Sequence, residues 1–280
     1  MSFATVLADE LAGALGPAES NIHTAVPPFH LGGLADVVEF RRSPLGGALY
    51  VTAGLAAVSQ LELALATRTP TLWGPRLIAE VAAGLRMRRV VANGTLPLGE
   101  AAVHALMFAH LPGVYPRTIG GTYTKVLLAV AITSDELAAC RSHGTPHVVE
   151  LLRAAGVFPF SERDRPTAAT LANLPPSALE RAKLSPAGRE ALSAVVHGQS
   201  QRVENLRGTF PASDVPALAA AYDSLGAWSQ RCDLVMLVCD LDDPALAPVW
   251  AKLIADARTR TPEEREDGQF ALEAAQARAR

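Results

Sequence analysis

Ile119–Arg165 reads IGGTYTKVLLAVAITSDELAACRSHGTPHVVELLRAAGVFPFSERDR, and the order of elements in it decides the fold. Tyr123 to Ile132 is apolar and β-prone over one strand length with little alternation, which predicts a strand covered on both faces. Thr133-Ser134-Asp135-Glu136 has the form of a capping box, a hydroxyl accepting from an orphan N–H while Glu136 reaches back to the cap. Leu137 to Arg141 continues that helix and Gly144 stops it. Thr145-Pro146 restarts the chain as N-cap and first-turn proline. Val148, Val149, Leu151 and Leu152 form the apolar side of the second helix, and Gly156 ends it. The stretch holds no nucleophile motif and no phosphate loop, so its reading is architectural.

Working outward toward the N-terminus, Ser2 to Leu15 places Phe3, Val6, Leu7, Leu11 and Leu15 at helical spacing, and Gly16-Pro17 ends the helix. Ser20 to Gly33 reads as loop. Leu34 to Arg42, the turn Ser43 to Gly47, and Ala48 to Gly54 read as a hairpin. Gln60 to Thr67 reads as a third strand or a short helix, with strand favoured by its neighbours. Trp73 to Arg89 reads as a helix with Arg86, Arg88 and Arg89 in its last turn, where they suit the macrodipole. Val90 to Glu100 reads as loop with a tight turn at Asn93-Gly94. Ala102 to Leu111 is strand or buried helix, and Pro112 to Gly121 is loop.

Toward the C-terminus the grammar changes. Pro166 to Pro176 has linker composition, and from Ser177 every segment is helical. Ser185-Pro186 opens a helix to about Arg207, Ser213-Asp214 one to about Cys239, Asp243-Pro244 a third, and Thr261-Pro262 a polar fourth.

Composition bounds the function. The 280 residues are 49% hydrophobic and 5% aromatic, with 25 Lys plus Arg against 28 Asp plus Glu and a net charge of −3. That balance gives no electrostatic footprint for nucleic acid. Cys140, Cys232 and Cys239 form no CxxC, which fits free thiols in a reducing cytoplasm. The N-terminus lacks the basic region of a signal peptide, and no window is long enough to span a membrane. These features predict a cytoplasmic protein with neither nucleic acid nor membrane among its partners.

Two places resemble the suppressor-of-fused-like domain, a mixed α/β family of bacteria and of animal Hedgehog signalling. Leu49-Tyr50-Val51-Thr52-Ala53-Gly54-Leu55 is similar to the family's Y-T-x-G-(M/L) strand, with Leu61-Glu62-Leu63 and Trp73 following. Ile132-Thr133-Ser134-Asp135-Glu136-Leu137, then Gly144, Val149-Glu150-Leu151-Leu152 and Asp164-Arg165, is similar to the family's ending. The match spans roughly residues 30 to 165, with a shorter loop at Leu55 to Ser59, and leaves the helical tail unexplained. The resemblance implies an α+β (mixed α/β) fold, a sheet with flanking helices over residues 1–170, followed by an all-helical region over 171–280. It implies a non-catalytic binder of another protein and, among bacterial members, an immunity protein neutralising a cognate toxin. A regulatory adaptor acting through the tail, and an enzyme without a short signature, are the alternatives.

Candidate side chains follow from this reading. Arg86, Arg88, Arg89, Arg163, Asp164 and Arg165 are the expected partner-binding residues, the first three by steering an acidic partner. Cys140, His143 and His147 have ligand chemistry, but Gly144 and Pro146 interrupt the helix, so the histidines are expected at the surface or in caps and no metal is expected. His104 and His110 read as structural. Glu62 is expected to point from the solvent side of its strand, the alternative being a perturbed carboxylate. Asp240, Asp242 and Asp243 read as a helix stop and the next N-cap. No cofactor and no catalytic residue is expected, and the sequence leaves the oligomeric state open.

Overall fold

The computed structural model describes residues 2–18, 22–23, 36–85, 90–98, 103–168 and 173–279. They fall into two compact units. The first is Met1–Leu137 with Leu152–Ala168, and the second is Ala138–Leu151 with Ala169–Arg280.

In chain order the first unit begins with helix α1 (Phe3–Leu15), capped by the Ser2 hydroxyl, and strand β1 (Ile22–His23). The hairpin β2 (Asp36–Phe40) and β3 (Ala48–Ala53) follows, then a four-residue helix α2 (Ala56–Ser59) where loop was expected, and β4 (Leu61–Thr67). Helix α3 is Trp73–Gly84. Two short strands occupy segments expected to be loop, β5 (Thr95–Pro97) and β7 (Arg117–Ile119), on either side of β6 (Ala105–His110). Three residues are too few for a period-two pattern to show. The long strand β8 is Thr122–Ile132.

The strand order is β1-β2-β3-β4-β8-β6-β5, with β7 paired to β8. Among the strand pairs of the described residues β4–β8 is the parallel one, and Ala66 forms an isolated parallel bridge with Phe160. Every residue of β3 and β4 is buried, so both sheet faces are covered there. Tyr50, Leu63, Leu65, Phe108 and Leu127 pack with Leu77, Ile78 and Val81 of α3 into one core.

The capping box after β8 forms as the sequence predicts. Thr133 Oγ1 accepts the Glu136 N–H (3.3 Å) and Glu136 Oε2 accepts the Thr133 N–H (3.0 Å). Helix α4 is Ser134–His143 and α5 is Thr145–Ala154. Gly144 between them has φ +84, and a Cβ there would lie 1.8 Å from the Val196 carbonyl oxygen, so no other residue fits.

The second unit continues with α6 (Ala178–Arg181), α7 (Pro186–Val196), α8 (Ser200–Leu206), α9 (Val215–Ala221), α10 (Trp228–Val238), α11 (Ala247–Ala257), α12 (Pro262–Asp267) and α13 (Gln269–Arg278). Three helices expected to be continuous are broken. Gly198, at φ +61, separates α7 from α8. A 3-10 turn at Tyr222–Ser224 and the loop through Gly226 separate α9 from α10. Gly268 separates α12 from α13. Helix α10 is buried nearly all round, against α7, α8, α11 and α13, and forms the axis of the unit.

Candidate functional site

In the first unit the β3–α2–β4 connection is built on a carboxylate. Glu62 is fully buried, which overturns its expected place on the solvent side. Its Oε1 accepts the N–H groups of Gly54 (2.8 Å) and Ala56 (2.9 Å), and its Oε2 accepts the Thr52 hydroxyl (2.6 Å). Thr52 Oγ1 in turn accepts the Leu63 N–H (2.8 Å). Burial pushes the Glu62 carboxyl up to about 7 against the downward pull of those donors. Glu62 shares its strand face with Ala64 and Ala66, a face with no polar companion. Past the other end of β4, the Tyr50 hydroxyl donates to the Thr71 carbonyl (3.1 Å) and accepts the Thr71 N–H (2.7 Å).

A second carboxylate closes the end of the sheet. Glu136 is fully buried and takes both ends of the Arg165 guanidinium, Nη1 on Oε1 (2.7 Å) and Nη2 on Oε2 (2.6 Å). It also accepts the Ala168 N–H (2.7 Å), and Arg165 Nη2 donates to the Ala131 carbonyl (3.0 Å). Burial pushes the Glu136 carboxyl up, but Arg165 and the backbone donors outweigh it and hold it below the usual carboxylate range. The Arg165 side chain is 4% exposed, and its charge is engaged within this pair. Arg163 and Asp164, beside it, are exposed. Arg86, Arg88 and Arg89 lie outside the described residues.

The candidate docking surface of this unit is a groove of about 470 Å³ between α3 and β5. Its floor is apolar, formed by Leu77, Val81 and Leu85 on one side and Leu96 and Leu98 on the other. Glu80 and Gly84 stand on the outer shoulder of α3, both exposed. The turn that leads into β5 is set by Asn93, at φ +62, and by the Gly94 N–H donating to the Val91 carbonyl (3.1 Å).

No family model matches the chain, and no curated protein matches its sequence. Solved suppressor-of-fused structures are similar to it. A suppressor-of-fused homologue from Neisseria gonorrhoeae has 12% identity and a TM-score of 0.48, covering 60% of this chain and 97% of that one. A Sufu–Fu complex structure has 14% identity and a TM-score of 0.46, covering 60% and 92%. Drosophila Suppressor of Fused has 12% identity and a TM-score of 0.37, covering 48% and 39%. The likeness is one of fold.

His104 and His110 were expected to be structural, and His143 and His147 to lie at the surface or in caps. His104 and His110 are exposed. His143 is buried, and its Nε2 donates to the Pro175 carbonyl (2.9 Å). A carbonyl only accepts, so the proton is on Nε2 and Nδ1 takes the Ser142 hydroxyl (2.7 Å). His147 stacks on His143 at 5.4 Å despite Gly144 and Pro146, because the α4–α5 turn folds the two rings together. Both ring nitrogens of His147 are buried with no partner among the described residues, and burial, then His143, pulls it down to about 4. Cys140 is buried nearby on α4. Among the described residues no three His, Cys, Asp or Glu side chains are grouped to hold a metal, and no helix is long and apolar enough to cross a membrane. Asp243 caps the next turn, accepting the Ala245 N–H (2.8 Å), and Asp240 pairs with Arg207.

Proposed function

We propose that this chain is a non-catalytic protein-binding module of the cytoplasm, an immunity protein that neutralises a cognate bacterial toxin domain. The observation that carries the binding role is the α3–β5 groove, an open trough on a helix–sheet scaffold with apolar side chains along its floor and polar surface around them. A recess with an apolar floor and a polar surround suits side chains from a partner. The toxin as partner follows from the bacterial proteins that Tyr50–Leu55 and Ile132–Arg165 resemble. Arg86, Arg88 and Arg89 follow α3 in sequence and would steer an acidic part of the toxin. Arg163 and Asp164 would add a polar contact, with Arg165 anchoring them through Glu136. The strongly shifted carboxyl of this unit, Glu62, has backbone and a neighbouring hydroxyl for partners, a structural role.

The test is co-expression with the secreted toxin encoded beside the gene, followed by co-purification. Rescue of a sensitive host together with a stable complex is the expected result, and alanine at His104 or His110 should leave it intact. Rescue without a complex, or turnover of a small molecule by the purified chain, would overturn the reading.

A further inference from the structure

The groove lies beside the last strand of the sheet among the described residues, so two modes of docking compete: an added strand on β5, or a helix laid in the trough. The β5–β6 register decides between them. Phe108 N–H donates to the Gly94 carbonyl (2.9 Å) and Leu98 N–H to the His104 carbonyl (3.1 Å). Counting along Thr95↔Met107, Leu96↔Leu106 and Pro97↔Ala105, the backbone groups of Leu96 turn toward β6 and those of Thr95 and Pro97 turn to the open edge. Proline has no N–H. The outward face of β5 therefore offers one donor, from Thr95, to an incoming strand. That is a blunted edge, the arrangement by which sheets resist strand addition.

The shape and chemistry of the trough suit a helix. Leu77, Val81 and Leu85 repeat at i, i+4 along its length, a ridge that receives apolar side chains of the same spacing. Gly84 has no atom within 4 Å of where a Cβ would stand, so the shoulder is bare and a partner backbone can approach closely. Among the described residues lining the groove, Glu80 is the one that carries a charge. We infer that the groove takes an amphipathic helix of a partner protein, its apolar face in the trough and a lysine or arginine beside that face paired with Glu80. This rests on the protein-binding reading above and specifies its mode.

The experiment pans the full chain against two displayed peptide libraries, one on a helical scaffold and one of unstructured linear peptides. Selected binders are then measured on three variants. Gly84→Phe fills the trough from a position with room for it. Glu80→Arg reverses the shoulder charge. Thr95→Pro removes the one outward donor from a position whose N–H is not in the ladder. Melting curves of all three confirm the fold. The expected outcome is helical binders that carry a basic residue, lose at least about tenfold on Gly84→Phe and on Glu80→Arg, and are unchanged on Thr95→Pro. Linear binders that lose affinity on Thr95→Pro overturn the helix mode and leave the protein-binding reading standing. Binders from neither library that respond to Gly84→Phe overturn the groove itself.

Discussion

In the first unit Glu62 gathers its donors from the Thr52–Ala56 connection, and Glu136 gathers its own from Thr133, Arg165 and Ala168. In the second, Ser177, Ser185 and Thr261 each accept the N–H group three residues ahead. The difference follows from the elements. Helices satisfy their own interiors and leave orphans at their ends, within reach of a local hydroxyl. A sheet leaves orphans where strands turn, and there the nearest acceptor is far along the chain. Glu136 reaches Arg165 and Ala168 at sequence separations of 29 and 32. Removing Glu62 or the partner of Glu136 should therefore cost more than removing one of these local caps.

Arg165→Ala is the sharpest test of that contrast. It strands a buried carboxylate, and denaturant unfolding should show a loss of about 3–5 kcal/mol. A loss under about 1 kcal/mol would put the pair with ordinary surface bridges and remove half of the contrast.

Glu62→Leu should cost about 3 kcal/mol or more, since two N–H groups and a hydroxyl lose their acceptor in a dry corner. Glu62→Gln keeps an acceptor and should cost far less. The pair of variants also carries a pH signature. Between pH 4.5 and about 7 the folded chain keeps Glu62 protonated while the unfolded chain has released the proton. Stability should therefore fall as pH rises through that window. Melting temperatures across it should lose this slope in Glu62→Gln.

His147 acts in the opposite sense. The unfolded chain takes up the proton from 6.5 downward and the folded chain only near 4, so stability falls as pH drops through that window. Asp233, raised by burial from 3.8 to about 6, opposes it within the same unit, so the slope is read as the difference between parent and variant. Replacing an unpartnered buried ring with an apolar side chain, His147→Leu, should raise stability by about 1–2 kcal/mol at neutral pH. A loss of that size would mean that the ring has a partner or a packing role that leucine cannot supply.

The smallest effect belongs to a local cap. Thr261→Ala removes one half of a capping box on an exposed turn and should cost about 0.5–1 kcal/mol. Equal losses for Thr261→Ala and Arg165→Ala would erase the distinction between the units.

What the sequence made legible follows the same division. The β2–β3 hairpin, β8 and the Thr133–Glu136 capping box were readable, because each is written in consecutive residues. The breaks at Gly198 and Gly268 were not, since an isolated glycine is compatible with a helix interior and only the backbone reveals its turn. Glu62 was misplaced because its burial depends on what covers the Ala64–Ala66 face, a fact of packing. The α3–β5 groove had no signature either. Leu77, Val81 and Leu85 spell out an ordinary core stripe, and nothing in them says that its far end lies open. Arg163, Asp164 and Arg165 are adjacent in sequence yet differ in role, two facing solvent and one closing on Glu136.

The helical unit is assembled from two separate lengths of sequence, Ala138–Leu151 and Ala169–Arg280. Gln230 Nε2 joins them, donating to the carbonyls of His143 (2.9 Å) and Val196 (2.6 Å). A gene truncated to begin at the linker would thus encode a bundle missing a wall, with Gln230 deprived of one acceptor and Gly226 facing the space that His147 occupies. On the ribosome the same fact sets an order of events: Ala138–Leu151 emerges early and must wait, unpartnered by its own unit, until α10 has been made.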